Sequence, residues 1–220
     1  LFVTVFDTPD RIQHMFWRFE DPGHPLYDRE QAERHREVFR RLYQTMDRIL
    51  GKVMERVDDD TVLMVLSDHG FSQFRQAVHL NRWLVEEGFM ALKPAAGDAK
   101  PSNEFFANVD WSRTKAYAVG LAGIYVNLKG RERFGIVEPG AEGQAAVAAL
   151  SERLLTRLID PTTGKPIVRR VYTREDIYAG PYAEKAPDLV AGFEPGYRAS
   201  WQTALGGVPD AVMEPNRKRW

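Results

Sequence analysis

Thr61-Val-Leu-Met-Val-Leu66 is an unbroken apolar and β-branched run that ends directly on Ser67-Asp-His-Gly70. A run without alternation offers no polar face to water. It therefore predicts a strand covered on both sides, as parallel strands in α/β proteins are. The segment before it agrees. Over residues 29–57, Val38, Leu42, Met46, Ile49 and Val53 recur at three- and four-residue steps, giving one apolar stripe on a long helix whose other face carries Arg and Glu. Asp58-Asp-Asp60 closes that helix. A similar apolar run, LFVTVF at residues 1–6, reads as a second buried strand. It passes into Asp7-Thr-Pro-Asp10, where Thr8 is a candidate N-cap and Pro9 suits a first helical turn. That helix is expected to reach Phe19, before the turn-rich Asp21-Pro-Gly-His-Pro25.

Farther along, residues 79–87 and 141–158 read as helices, and 89–92, 114–119, 123–128, 167–172 and 188–190 as strands. Residues 93–112 look like a loop or the entrance to an insertion. Alternating strands and helices give an α/β class, with a mostly parallel sheet covered by helices on both faces. The expected organisation is a core over residues 1–92, a cap-like insertion over 93–164, and a return to the core over 165–220.

Charge narrows the function. Thirty Lys and Arg face 31 Asp and Glu, a formal net charge of −1, without the basic excess of a nucleic-acid binder. A small phosphorylated substrate stays open, because a bound metal brings its own positive charge. There are no cysteines, which removes disulfides, thiolate metal sites and cysteine nucleophiles, so a metal must be held by His and carboxylates. No apolar run reaches the roughly 18–20 residues that span a bilayer. No secretory leader opens the chain, and a cytoplasmic location is expected. The chain starts within a strand-like run and stops without terminal punctuation, so it reads as an internal piece of a longer protein.

Two pairs of residues stand out. Asp10 and His14 are four apart on an expected helix, so both side chains leave one face and could share a divalent ion; an ordinary surface or capping pair has the same spacing. Asp68 and His69 emerge where a buried strand ends, the edge at which α/β sheets collect ligands. Gly70 leaves room there for a sharp turn. The plainer reading is that Asp68 caps that turn and His69 is incidental. Both pairs follow strand-like runs. If those strands are neighbours, the pairs converge into most of a two-metal site, able to clamp a phosphoryl group and activate its nucleophile.

Other residues carry less. Arg75 is placed to reach a phosphate, or is a surface arginine. His24 suits a turn, His35 a solvated helix face, and His79 a structural place at a helix start. Phe16, Trp17 and Phe19 are either core or pocket wall. Lys129-Gly-Arg-Glu-Arg133 is a charged turn, and Asp188 in Ala-Pro-Asp-Leu is given no chemistry.

FDTPDRIQHMFWRFEDPGHPLYD, followed some forty residues later by VLMVLSDHGFSQFRQAVHLNRWL, resembles the type I phosphodiesterase/nucleotide pyrophosphatase branch of the alkaline phosphatase superfamily. WSRTKAYAVGLAGIYVNLKGRE, APDLVAGF and GYRASW are similar to the same group, often described as predicted phosphohydrolases or phosphomutases. The resemblance covers nearly the whole chain. It implies an alkaline-phosphatase-like core and a metal-dependent phosphoric ester hydrolase. Two divalent ions, zinc or manganese, would bind to Asp10 with His14 and to Asp68 with His69. It further implies that a nucleophilic Thr or Ser and one aspartate precede Leu1, and that a last histidine follows Trp220. The 220 residues alone would then be inactive or nearly so. A phosphomutase would use the same metals. A catalytically silent binding module is the reading from another class, and two complete Asp/His pairs argue against it.

Overall fold

The computed structural model describes residues 1–94 and 105–217, and the chain divides into two compact units, Leu1–Arg75 with Pro215–Trp220 and Gln76–Glu214. In the first unit, α1 (Thr8–Phe16) begins after Asp7 and runs into a 3-10 turn at Trp17–Phe19. Asp7 rather than Thr8 holds the N-cap position, and its side chain makes no capping bond. Pro9 falls in the first turn, where a missing N–H costs nothing. α1 packs on α3 (Val38–Met54). The Tyr43 hydroxyl donates to Gln13 Oε1 at 3.1 Å, and the Trp17 and Phe39 rings meet at 5.3 Å.

The single helix expected over 29–57 is two: α2 (Arg29–His35), capped by the Asp28 side chain on the Gln31 N–H, and α3. The two pack on different neighbours, α2 on the 3-10 turn and α3 on α1. The apolar stripe from Val38 to Val53 lies wholly within α3, so nothing in the pattern requires one continuous axis.

The largest correction concerns the two apolar runs. Neither residues 1–6 nor residues 61–66 form a strand, and both are exposed: Phe2 is 90% accessible, Val62 87% and Leu66 81%. A strand exists only through the hydrogen bonds of its neighbours, and neither run sits in a ladder among the described residues. Of the buried apolar side chains among those residues, Leu42 alone belongs to the first unit; the rest belong to the second.

The chain leaves the first unit within β1 (Phe74–Val78). There follow α4 (Leu80–Glu86), β2 (Ala116–Val119), β3 (Gly123–Val126), α5 (Ala141–Thr156), β4 (Val168–Thr173), α6 (Arg174–Ile177), β5 (Leu189–Phe193), β6 (Gly196–Ala199), α7 (Trp201–Ala204) and β7 (Met213–Pro215). They form a four-stranded sheet in the order β2-β3-β5-β4 and a three-stranded one in the order β6-β1-β7. The α/β class stands. The mostly parallel sheet does not describe the four-stranded one, whose three pairings are all antiparallel. A three-residue turn between β2 and β3 makes their pairing a hairpin, which is antiparallel by construction. α5 rests on β3, β4 and β5 with Leu150 and Leu154 fully buried, four residues apart on one face.

Residues 89–92, expected to be a strand, contribute only one bridge, Leu92 to Val109. The loop expected over 93–112 lies partly outside the described residues. β1, β6 and β7 had no counterpart in the sequence reading. No helix among the described residues is long and apolar enough to cross a membrane.

Candidate functional site

One turn of α1 separates Asp10 from His14, and the helix brings Asp10 Oδ1 to 3.4 Å from His14 Nε2. Both side chains are about half exposed, at 48% and 55%. Asp68 Oδ2 lies 3.6 Å from His69 Nε2. His69 Nδ1 stands 2.8 Å from the Gly70 carbonyl, and Ser67 Oγ donates to the His69 carbonyl at 2.5 Å. A carbonyl can only accept, so His69 Nδ1 carries the proton there and Nε2 is the nitrogen turned to Asp68. The Gly70 hydrogen bond, then the Asp68 charge, raise the His69 pKa, and Asp10 adds in the same direction.

The pairs meet through Phe71. Its ring centre is 4.8 Å from that of His14, 5.7 Å from that of His69 and 5.6 Å from that of Trp17. All belong to the first unit. Among the described residues no three His, Asp or Glu side chains converge as a metal cluster, so each pair offers two donors. Gly70 has no positive φ, and a Cβ there would meet nothing within 4 Å.

Arg75 forks onto Asp21, Nε to Oδ2 at 2.8 Å and Nη2 to Oδ1 at 2.6 Å. Asp21 is buried, and the Arg75 guanidinium holds its carboxyl below the usual range. His24 is buried too, accepting the Leu26 N–H on Nδ1 at 3.0 Å; burial lowers its pKa, so it is neutral and structural. His35, expected to be solvated, instead packs on Phe16 at 5.1 Å and Phe19 at 5.3 Å, which makes those two rings packing partners. His79, fully buried at the start of α4, has Nδ1 2.7 Å from Ser200 Oγ.

In the second unit stands Asp188, to which its local sequence assigns no chemistry. It is 5% exposed and accepts from Arg131 at 3.1 and 2.6 Å, from Arg174, and from the Val126 N–H at 2.7 Å. Nothing local announces such a carboxylate, because Arg131 lies 57 positions away. Arg131 thus ties the charged turn at 129–133 to Asp188, the residue before β5.

The family model described as Type I phosphodiesterase / nucleotide pyrophosphatase matches residues 1–206, a span that contains both Asp/His pairs. No curated protein and no solved structure matches the chain.

Proposed function

The chain belongs to the type I phosphodiesterase/nucleotide pyrophosphatase family, a family of phosphoric ester hydrolases, and we propose that Asp10 with His14 holds one divalent ion and Asp68 with His69 a second. Imidazole nitrogen combined with carboxylate oxygen suits zinc or manganese. When bound, such ions neutralise phosphoryl oxygens and activate a nucleophile. The observation that carries the reading is the packing of His14 and His69 on the one ring of Phe71, which places the two pairs side by side.

The residues of the chain do the positioning. The Gly70 carbonyl fixes the His69 tautomer and leaves Nε2 for a ligand, a support typical of metal-bound histidines. α1 holds Asp10 and His14 at one face by their spacing of one turn. Arg75 would bring a guanidinium to the substrate phosphate by giving up one of its two bonds to Asp21. The attacking hydroxyl in this reading is a Thr or Ser outside the 220 residues, and the substrate is a small phosphate ester.

Elemental analysis after incubation with zinc or manganese tests the assignment. The parent chain should approach two ions, and Asp10→Ala and Asp68→Ala should each lose about one. A folded chain that binds no metal, with both variants indistinguishable from it, overturns the assignment of these four residues.

A further inference from the structure

The second unit contains a cavity of about 590 Å³, within the size range of small-molecule sites. Its wall is a chain of rings. Phe106 meets Trp111 at 5.3 Å and Tyr117 at 5.5 Å, Trp111 meets Tyr117 at 5.3 Å, and Tyr117 stacks on its cross-strand partner Tyr125 at 5.3 Å with 10° between planes. Two more lining rings are open to solvent, Phe105 at 66% and Phe134 at 55%. Phe106 holds φ 51, a left-handed conformation unusual for an aromatic residue. Hydrogen bonds from its N–H to the Gly206 carbonyl and from the Val109 N–H to its own carbonyl, both 3.0 Å, keep it there.

The charge around these rings is one-sided. Among the described residues, Arg131, Arg133 and Lys185 line the cavity with a single carboxylate, Glu132. Glu132 is already occupied, by the Leu128 N–H at 2.8 Å on one oxygen and by Arg131 at 2.8 Å on the other. Arg131 is committed to Asp188. Among the described residues no carboxylate pairs with Arg133 or Lys185; Arg133 lies over the Phe134 ring at 5.1 Å. Asn127, fully buried, also lines the cavity, and its Oδ1 has no hydrogen-bond partner among the described residues, whereas its Nδ2 donates to the Thr114 and Phe134 carbonyls at 2.8 and 3.0 Å. Burial pushes the Tyr117 hydroxyl well above its ordinary value, so that group adds no negative charge.

We propose that this cavity is a binding site for a planar aromatic anion, its ring stacked among the cavity aromatics, its charge met by Arg133 and Lys185, and a ring hydroxyl or amine directed to Asn127. Aromatic faces favour a flat ring and a cation stacked at the rim favours an anion beside it. A buried acceptor without a partner is costly to leave unmet, which favours a ring substituent that donates. The lining residues all belong to the second unit, and this reading gives that unit a recognition role of its own.

Calorimetric titration of the chain without added metal tests it, with hydroxynaphthalenesulfonate as probe, naphthol as the ring without charge and methanesulfonate as the charge without a ring. The sulfonated ring should bind about tenfold more tightly than either control. Phe134→Ala and Arg133→Gln, both at exposed positions, should keep the parent circular dichroism and each weaken binding about fivefold, whereas Asp10→Ala should leave it unchanged. Naphthol binding as tightly as the sulfonate, or both cavity variants binding as the parent does, overturns the proposal.

Discussion

Asp188→Asn tests how the second unit is held together. The substitution preserves shape but removes the charge and turns one acceptor oxygen into an N–H donor. Two guanidiniums and the Val126 N–H then face it. Asp188 is 5% exposed, so water cannot replace what is lost, while Arg131 and Arg174 are 21% and 19% exposed and recover part of their hydration. Removing one partner of a buried ion pair costs about 3–5 kcal/mol, and the partial exposure of the arginines places this case near the lower end, about 3 kcal/mol. With a urea m-value of about 2 kcal/mol/M, the unfolding midpoint should fall by about 1.5 M at unchanged slope. Arg174→Gln added to Asp188→Asn should cost less than the two single changes together, because the second removes a cation that the first left unpaired. A midpoint within about 0.3 M of the parent would show that the cluster contributes little beyond its geometry.

Two further outcomes follow from packing and titration. A Cβ at Gly135 would stand 2.0 Å from the Leu128 carbonyl oxygen, a backbone atom that cannot swing aside, whereas a Cβ at Gly51 in α3 meets nothing within 4 Å. Gly135→Ala should therefore cost about 2–3 kcal/mol and Gly51→Ala should stabilise by about 0.5–1 kcal/mol, read from thermal midpoints; equal midpoints for the two variants would contradict the geometry. Burial lowers the pKa of His24 and His79 in the folded chain, so the unfolded chain takes up protons first and stability falls as pH drops through about 6.5. The exposed His69, with its pKa raised, opposes this. His79→Gln should flatten the loss in urea midpoint between about pH 7.5 and 5.5, and a loss as steep as the parent's would refute the assignment.

How much of this was legible in the sequence depends on the range of the interaction concerned. α1, α3, α4 and α5 could be read because a helix closes its hydrogen bonds within four residues and its apolar face repeats every 3.6. The hairpin strands β2 and β3 were legible for a similar reason, since they pair across a short turn. Asp10 and His14 share a helix face by spacing alone, and Asp68 and His69 are adjacent. What the spacing did not contain is that both pairs would meet at Phe71, a residue with no motif of its own.

The chain by itself thus determined α1, α3, α4 and α5, the strands β2 and β3, its freedom from cysteine and the two Asp/His pairs. Only the tertiary structure decided that residues 1–6 and 61–66 join no ladder among the described residues, that β2 and β3 pair as a hairpin in an antiparallel four-stranded sheet, and that Asp188 gathers two distant arginines. The reason is physical. Apolar character fixes what a segment prefers to bury, but a strand or a buried carboxylate is completed by partners far along the chain, and no local pattern specifies which partner arrives.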